Sequence, residues 1–246
     1  MAIQYHDIAE GWSVIDLSQP LWPGMARWPQ TPPLTATVVA SIEADGLYER
    51  HLALPEHVGT HVDAPAHFAP KGTTVDQLPP SSLLAPGRVI DLRAACAGDP
   101  DFALEADVLE RLEAEQVPLV PGCLALFRTG WDRYLLEHEL YVGPASGPPR
   151  FPGLAPSAAR LLVERGVRGI GIDTLGIEPG AATEYPLHHI TLPAGLFHVE
   201  GLVGLGRLPA SGFLVVVAPL PLVGGSGSPA RVLALAPPGR RYSATA

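Results

Sequence analysis

The sequence predicts an α/β fold in which strands outnumber helices, and three observations carry that reading. "APSAARLLVERGVRGIGID" runs an amphipathic helix into a buried strand through a one-residue stop at Gly166, a device of α/β proteins. Short apolar runs of β type recur from "WSVIDL" near the start to "ARVLAL" near the end. There is no internal repeat, composition break or linker, so residues 1–246 read as one domain.

Taken in order, "WSVIDLSQPLWPG" is a strand entering a Pro-Gly loop, and "PPLTATVVASIEADG" alternates as a second strand. "YERHLALPEHVGTHVD" continues as extended chain, so the first quarter reads as β. "GRVIDL" is a strand. In "DFALEADVLERLEAE", Leu104, Val108, Leu109 and Leu112 stand at helical spacing. "GCLALFRTGW" is an apolar strand, followed by a Gly/Pro-rich loop from about Gly143 to Pro156. Ser157 is a candidate N-cap for the helix that ends at Gly166. "AGLFHVEGL", "GFLVVVAPLPL" and "ARVLALAP" supply the remaining strands.

With 47% hydrophobic and 17% charged residues, the chain belongs to the globular class. A formal net charge of −9, with Arg240-Arg241 as the longest basic cluster, argues against a nucleic-acid partner. No apolar run approaches the roughly 20 residues needed to span a bilayer, and "MAIQYHDIAEGWSVIDLS" lacks the pattern of a secretory signal. Cys96 and Cys123 have no CxxC partner and read as reduced thiols, which points to the cytoplasm.

The chemistry concentrates in "HVGTHVDAPAHF", which gathers three of the chain's nine histidines and one aspartate. His57, His61, Asp63 and His67 all carry odd numbers, so on extended chain they share a face while Val58, Val62, Ala64 and Ala66 take the other. A straight strand would hold the Cα atoms of His57 and His61 about 13 Å apart and those of His57 and His67 about 33 Å apart. The segment therefore has to bend, at Gly59 and again at Pro65. Two imidazoles and a carboxylate suit Zn²⁺, Mn²⁺ or Fe²⁺, and three protein ligands leave coordination positions open.

The pattern "HxGTHxDxPxHF" resembles the cyclase family of metal-dependent hydrolases, which includes bacterial kynurenine formamidases and isatin hydrolases. The resemblance extends to "IDLSQPL", "RWPQTPP", "FRTGW", "GVRGIGIDT", "HHITLPAGLFHVEGL" and "GSPARVLAL". It implies a β-rich domain of swivelling β/β/α type. It also implies one or two divalent ions per subunit (Zn²⁺ or Mn²⁺), a small-molecule substrate, and a homodimer or homotetramer. Carried over position by position, it makes His57, His61 and Asp63 metal ligands and His67 the proton donor and acceptor. His188 and Glu200, twelve residues apart, complete a second metal site. His189 is a neighbouring competitor for the ligand role, and Trp28 falls where formamidases contact substrate.

Other residues read more plainly. Asp173 at a strand end suits a capping or supporting role as well as a catalytic one. His198, beside Glu200, is expected to face away from it as a structural residue. Arg128, Thr129 and Trp131 read as a strand end with satisfied polar groups, and "GGSGSP" at 224–229 as a plain loop, since it lacks the GxxxxGK[ST] pattern. The expected function is metal-dependent hydrolysis of a C–N amide bond in a small, aromatic substrate. The formamidase reaction on N-formylkynurenine comes first, with ring opening of a cyclic amide such as isatin as the alternative. A metal-containing binding protein without turnover is the rival from another class.

Overall fold

The computed structural model describes residues 12–237. Arg240-Arg241 and the first eleven residues of the stretch read for a signal lie outside the described residues. The chain is mixed α/β, and its main sheet closes on itself. Strand β1 (Ser13–Asp16) is followed by β2 (Thr35–Ala40), the helical turn α1 (Ile42–Asp45), β3 (Glu49–Ala53), β4 (His61–Asp63) and β5 (Leu84–Asp91). Then come the turn α2 (Arg93–Cys96), β6 (Ala103–Leu104), α3 (Ala106–Glu115), β7 (Leu124–Arg128) and the turn α4 (His138–Tyr141). The last elements are β8 (Gly153–Leu154), α5 (Pro156–Glu164), β9 (Gly169–Ile172), α6 (Pro186–Thr191), β10 (Phe197–Glu200), β11 (Ser211–Pro219) and β12 (Gly227–Ala236).

The eight-stranded sheet runs β1-β12-β11-β5-β7-β9-β10-β4. Its parallel centre is β5, β7, β9 and β10, and β12 seams it shut. Residues Gly227–Pro229 of β12 pair with β4, while Leu233–Ala236 of the same strand pair with β1. Alternation along the strands sorts side chains into two layers. Leu124 and Leu126 of β7, Phe197 and Val199 of β10 and Val62 of β4 fill the barrel interior with Val215, Val217 and Val232. Ala125 and Phe127 face outward, where they meet Leu109 and Leu112 of α3 and Ala158 and Leu162 of α5.

Two local expectations need correction. Ser157 does not cap its own helix: Ala155 is the N-cap and Pro156 takes the first helical position, where a missing N–H costs nothing. The Ser157 hydroxyl instead accepts from the backbone N–H of Ala106, at the start of α3. Leu104 belongs to the short strand β6 rather than to the helix that follows. The stop at Gly166 is as expected, with φ at 66°.

Candidate metal centre

The site forms on the outward face of β4 and β10, opposite the barrel core. These strands pair antiparallel with His198 across from Asp63, Val199 from Val62 and Glu200 from His61. Because directly opposed residues share a face, His61, Asp63, His198 and Glu200 project together, while Val62 and Val199 enter the core. His198 therefore does not face away from Glu200. The two stand two residues apart, not one, and period-2 alternation puts them on the same side. Sequence reasoning missed this histidine, although the i, i+2 spacing carried the signal.

His57 reaches the cluster from the preceding loop, its Nδ1 2.6 Å from Asp63 Oδ1. Its Nε2 lies 2.9 Å from Ser226 Oγ, and that hydroxyl donates to Glu56 Oε2 at 2.6 Å. "GGSGSP" is thus more than a loop: Ser226 orients His57, and residues from Gly227 onward are strand. Gly227 is required there, because a Cβ would stand 2.5 Å from His57 Cε1. His61 turns Nδ1 to the carbonyl of Gly59 at 3.1 Å, which leaves Nε2 facing Asp63 Oδ1 at 3.3 Å and Glu200 Oε2 at 3.5 Å.

Helix α6 brings His188, whose Nε2 is 3.2 Å from Asp63 Oδ2 and 3.5 Å from Glu200 Oε1. Glu178 grips the same residue twice. One carboxylate oxygen accepts the His188 backbone N–H at 2.9 Å, and the other is a close charge contact to Nδ1 at 2.6 Å. Neither Glu178 nor Ser226 carried a local sequence signal. His189 is exposed and packs edge-on to Phe68, 5.0 Å between centroids, so His188 is the histidine of that pair in the cluster.

Pro65 opens a 3₁₀ turn through His67, and this folds His67 back so that its ring stacks on His57 at 4.0 Å. His67 lines the cavity and its side chain is exposed there. Partial desolvation by the packed rings around it, followed by the neighbouring His57, His188 and His61, holds its pKa down to about 4 against the pull of Asp63.

The electrostatics are those of a site with excess electron density. Burial alone would raise the Asp63 pKa, yet His57, His188 and His61 hold it well below the usual carboxylate value. Burial, then the charge of Asp63, pushes the neighbouring Glu200 upward. Despite a burial penalty on its cation, His61 is raised to about 9 by Asp63 and Glu200. The donor atoms of His57, His61 and Asp63 lie within 4.8 Å of one another, as do those of Asp63, His188, His198 and Glu200. Donors about 2.0–2.2 Å from one ion stand roughly 3.3 Å apart, so the 3.2–3.5 Å separations from Asp63 and Glu200 fit a divalent ion.

The cavity above the cluster has a volume of about 310 Å³. Aromatic walls dominate it: Trp28 meets Phe151 and Tyr185 edge-on at 6.3 and 6.1 Å, and Phe68 meets Tyr185 at 5.7 Å. Among the described residues that line it there is no Lys or Arg. Asp173 does not line it. Its carboxylate accepts from the N–H groups of Thr129 and Gly130 and from the Thr129 hydroxyl, tying the end of β7 to β9. Arg128 pairs with Asp91, and the Trp131 indole donates to the Tyr141 carbonyl, so both are satisfied away from the pocket.

Fold and site together define a metal-dependent hydrolase. The chain belongs to the Cyclase family, whose model, described as "Putative cyclase", matches residues 15–179. It is 33% identical over 218 residues to the isatin hydrolase of Roseibium aggregatum, covering 84% of this chain and 82% of that one. It is 29% identical over 224 residues to the kynurenine formamidase of Salinibacter ruber, covering 90% and 96%. Among solved structures, an isatin hydrolase bound to the product analogue thioisatinate superposes with a TM-score of 0.87 at 31% identity, covering 93% and 94% of the two chains. A structure described as a potential metal-dependent hydrolase with cyclase activity gives 0.72 at 30% identity, covering 91% and 98%.

Proposed function

We propose that this enzyme opens the ring amide of a small, neutral aromatic substrate of the isatin type. The observation that carries the proposal is the cavity: four aromatic walls and no cationic side chain among its described lining residues. N-formylkynurenine would bring an amino-acid end whose carboxylate calls for an Arg or Lys partner. A ring amide between two aromatic edges makes no such demand. The formamidase reaction is the second reading, supported by the placement of Trp28 in the cavity wall and by the near full-length match to the Salinibacter enzyme.

His57, His61 and Asp63 would hold one divalent cation, Zn²⁺ or Mn²⁺, and Asp63, His188 and Glu200 would hold a second. When bound, such an ion lowers the pKa of water toward neutrality and polarises a substrate carbonyl. His67, neutral at physiological pH and open to the cavity, would take the proton from the attacking water and return it to the leaving nitrogen. Trp28 and Tyr185 would hold the substrate ring, and Phe68 and Phe151, which also line the cavity, would add apolar surface against it.

No helix among the described residues is long and apolar enough to cross a membrane. Both cysteines are free and buried, which supports a reducing, cytoplasmic setting. A homo-oligomer finds support in the β2–β3 hairpin, where Val38, Val39, Tyr48 and Leu52 are exposed. An isolated two-stranded ribbon is marginal in water, so a second copy of the chain is its natural cover.

The test is direct: purified protein is incubated with isatin and with N-formylkynurenine, and absorbance is followed with chelator and after Zn²⁺ or Mn²⁺ is restored. Chelator-sensitive turnover with the higher kcat/KM on isatin is expected. Preference for N-formylkynurenine would reverse the order of the two readings, and turnover of neither would remove both.

A further inference from the structure

We infer that His198 is a fourth protein donor to the second cation site, closing it, so that open coordination positions belong to the His57, His61 and Asp63 set. The inference rests on the divalent-metal reading above and concerns how this chain divides labour between the two sites.

The hydrogen bonds fix the tautomer of His198. Its Nε2 stands 2.7 Å from Thr191 Oγ1. The Thr191 hydroxyl already donates its one proton to the Leu187 carbonyl, 2.8 Å away and one turn earlier in α6. Toward His198 it can only accept. Nε2 therefore carries the hydrogen and Nδ1 is a bare lone pair.

That lone pair is fully buried and has no hydrogen-bond partner among the described residues. It points across the β10–β4 pair to Asp63 Oδ2, 3.9 Å away. Two electron-rich atoms thus face each other in a buried site with no protein proton between them. A buried histidine serving only to pack the core would have both nitrogens bonded. A cation resolves the conflict, and the required partners surround the gap: the donor atoms of Asp63, His188, His198 and Glu200 all lie within 4.8 Å of one another. The two carboxylates balance the charge of a dication and the two imidazoles complete four-coordination.

Zinc sites with four protein donors are closed and hold structure, whereas sites with three keep a position for water or substrate. The cluster therefore pairs one open site beside His67 with one closed site. The closed site fixes Asp63 and keeps its charge from collapsing onto the neighbouring histidines.

Metal-free protein titrated with Co²⁺, with bound metal counted by elemental analysis, tests the assignment in wild type, His198→Gln and His198→Ala. Wild type should bind two ions. The variants should keep the first at unchanged affinity and bind the second at least tenfold more weakly. In Co²⁺-loaded wild type, proton NMR should show a hyperfine-shifted, exchangeable Nε2–H that is absent from His198→Gln. Unchanged affinity for the second ion in the variants, a wild type that takes up one ion only, or absence of that resonance would overturn the inference. Where a variant fails to fold, the same resonance is assigned in wild type labelled with ¹⁵N at the histidine ring nitrogens, by its proximity to the Thr191 side chain, and its absence overturns the inference. If wild type binds no ion at all, the metal-centre reading fails first and takes this assignment with it.

Discussion

His57 and His67 lie face to face, their ring centroids 4.0 Å apart and their planes 24° from parallel. The contact joins a residue whose Nδ1 is committed to Asp63 with one whose edge is open to the cavity. The sequence between them builds this arrangement: strand β4 turns His61 and Asp63 toward the cluster, and the turn opened by Pro65 doubles the chain back. Replacing His67 should therefore separate chemistry from metal holding. In His67→Ala, kcat should fall by about 10²–10⁴-fold, the range for loss of a general acid–base group, with bound metal unchanged by elemental analysis. A kcat within threefold of wild type would remove His67 from proton transfer.

Glu178 should prove nearly as important as a ligand, although it belongs to neither donor group. Holding both the backbone N–H and Nδ1 of His188 presents Nε2 to Asp63 and Glu200. Loss of such a supporting carboxylate typically costs 10–100-fold in metal affinity. Glu178→Gln keeps the shape and one acceptor but loses the charge. Competition with a chromophoric chelator should show one site weakened by about that factor and the other unchanged. Equal weakening of both sites would mean that the substitution disturbs the fold instead.

The cavity predicts how substrate preference can be moved. Trp28→Ala removes one aromatic wall and should raise KM for isatin more than it lowers kcat, by roughly tenfold if about 1.4 kcal/mol of contact is lost. Thr31, also in the lining, is a place to introduce the missing cation. Thr31→Arg should improve kcat/KM for N-formylkynurenine relative to isatin. If the ratio does not move, the absence of cationic lining residues is not what sets substrate choice.

How much of this was legible in the sequence depends on the range of each interaction. Odd-number parity put His61 and Asp63 on one face and Val62 on the other because a strand has a fixed period, and β4 follows that rule. The same rule applied to His198 and Glu200, two residues apart, gives a shared face, so their placement too was legible from strand period alone. Barrel closure had no local signature. It depends on β12 pairing at one end with β4 and at the other with β1, which lie far away in sequence. Ser226 and Glu178 were hidden for a related reason: each acts through one hydrogen-bonded neighbour brought close only by the fold. Ser157 shows local reasoning finding the right chemistry on the wrong helix, since its hydroxyl does cap a helix start, that of α3.

Asp173 links the fold to pH. It is fully buried, and burial lifts its pKa to about 7 despite the three hydrogen bonds from Thr129 and Gly130. In the unfolded chain the group titrates near the ordinary value of 3.8. Between these two values the folded protein binds more protons at this site than the unfolded one, so the site's contribution to stability falls as pH rises. It is most favourable below about pH 4 and is lost by about pH 7, a change on the order of 4 kcal/mol. Other carboxylates act in the opposite direction, so the comparison that isolates Asp173 is with Asp173→Asn. The amide keeps one acceptor for Thr129 but turns an NH₂ toward the Gly130 N–H, so the variant should be less stable than wild type at pH 5. Urea unfolding at pH 5 and pH 8 should show that gap narrowing, or reversing, as wild type alone takes on the cost of a buried charge. A gap that is the same at both pH values would show that the three hydrogen bonds keep the carboxylate ionised throughout.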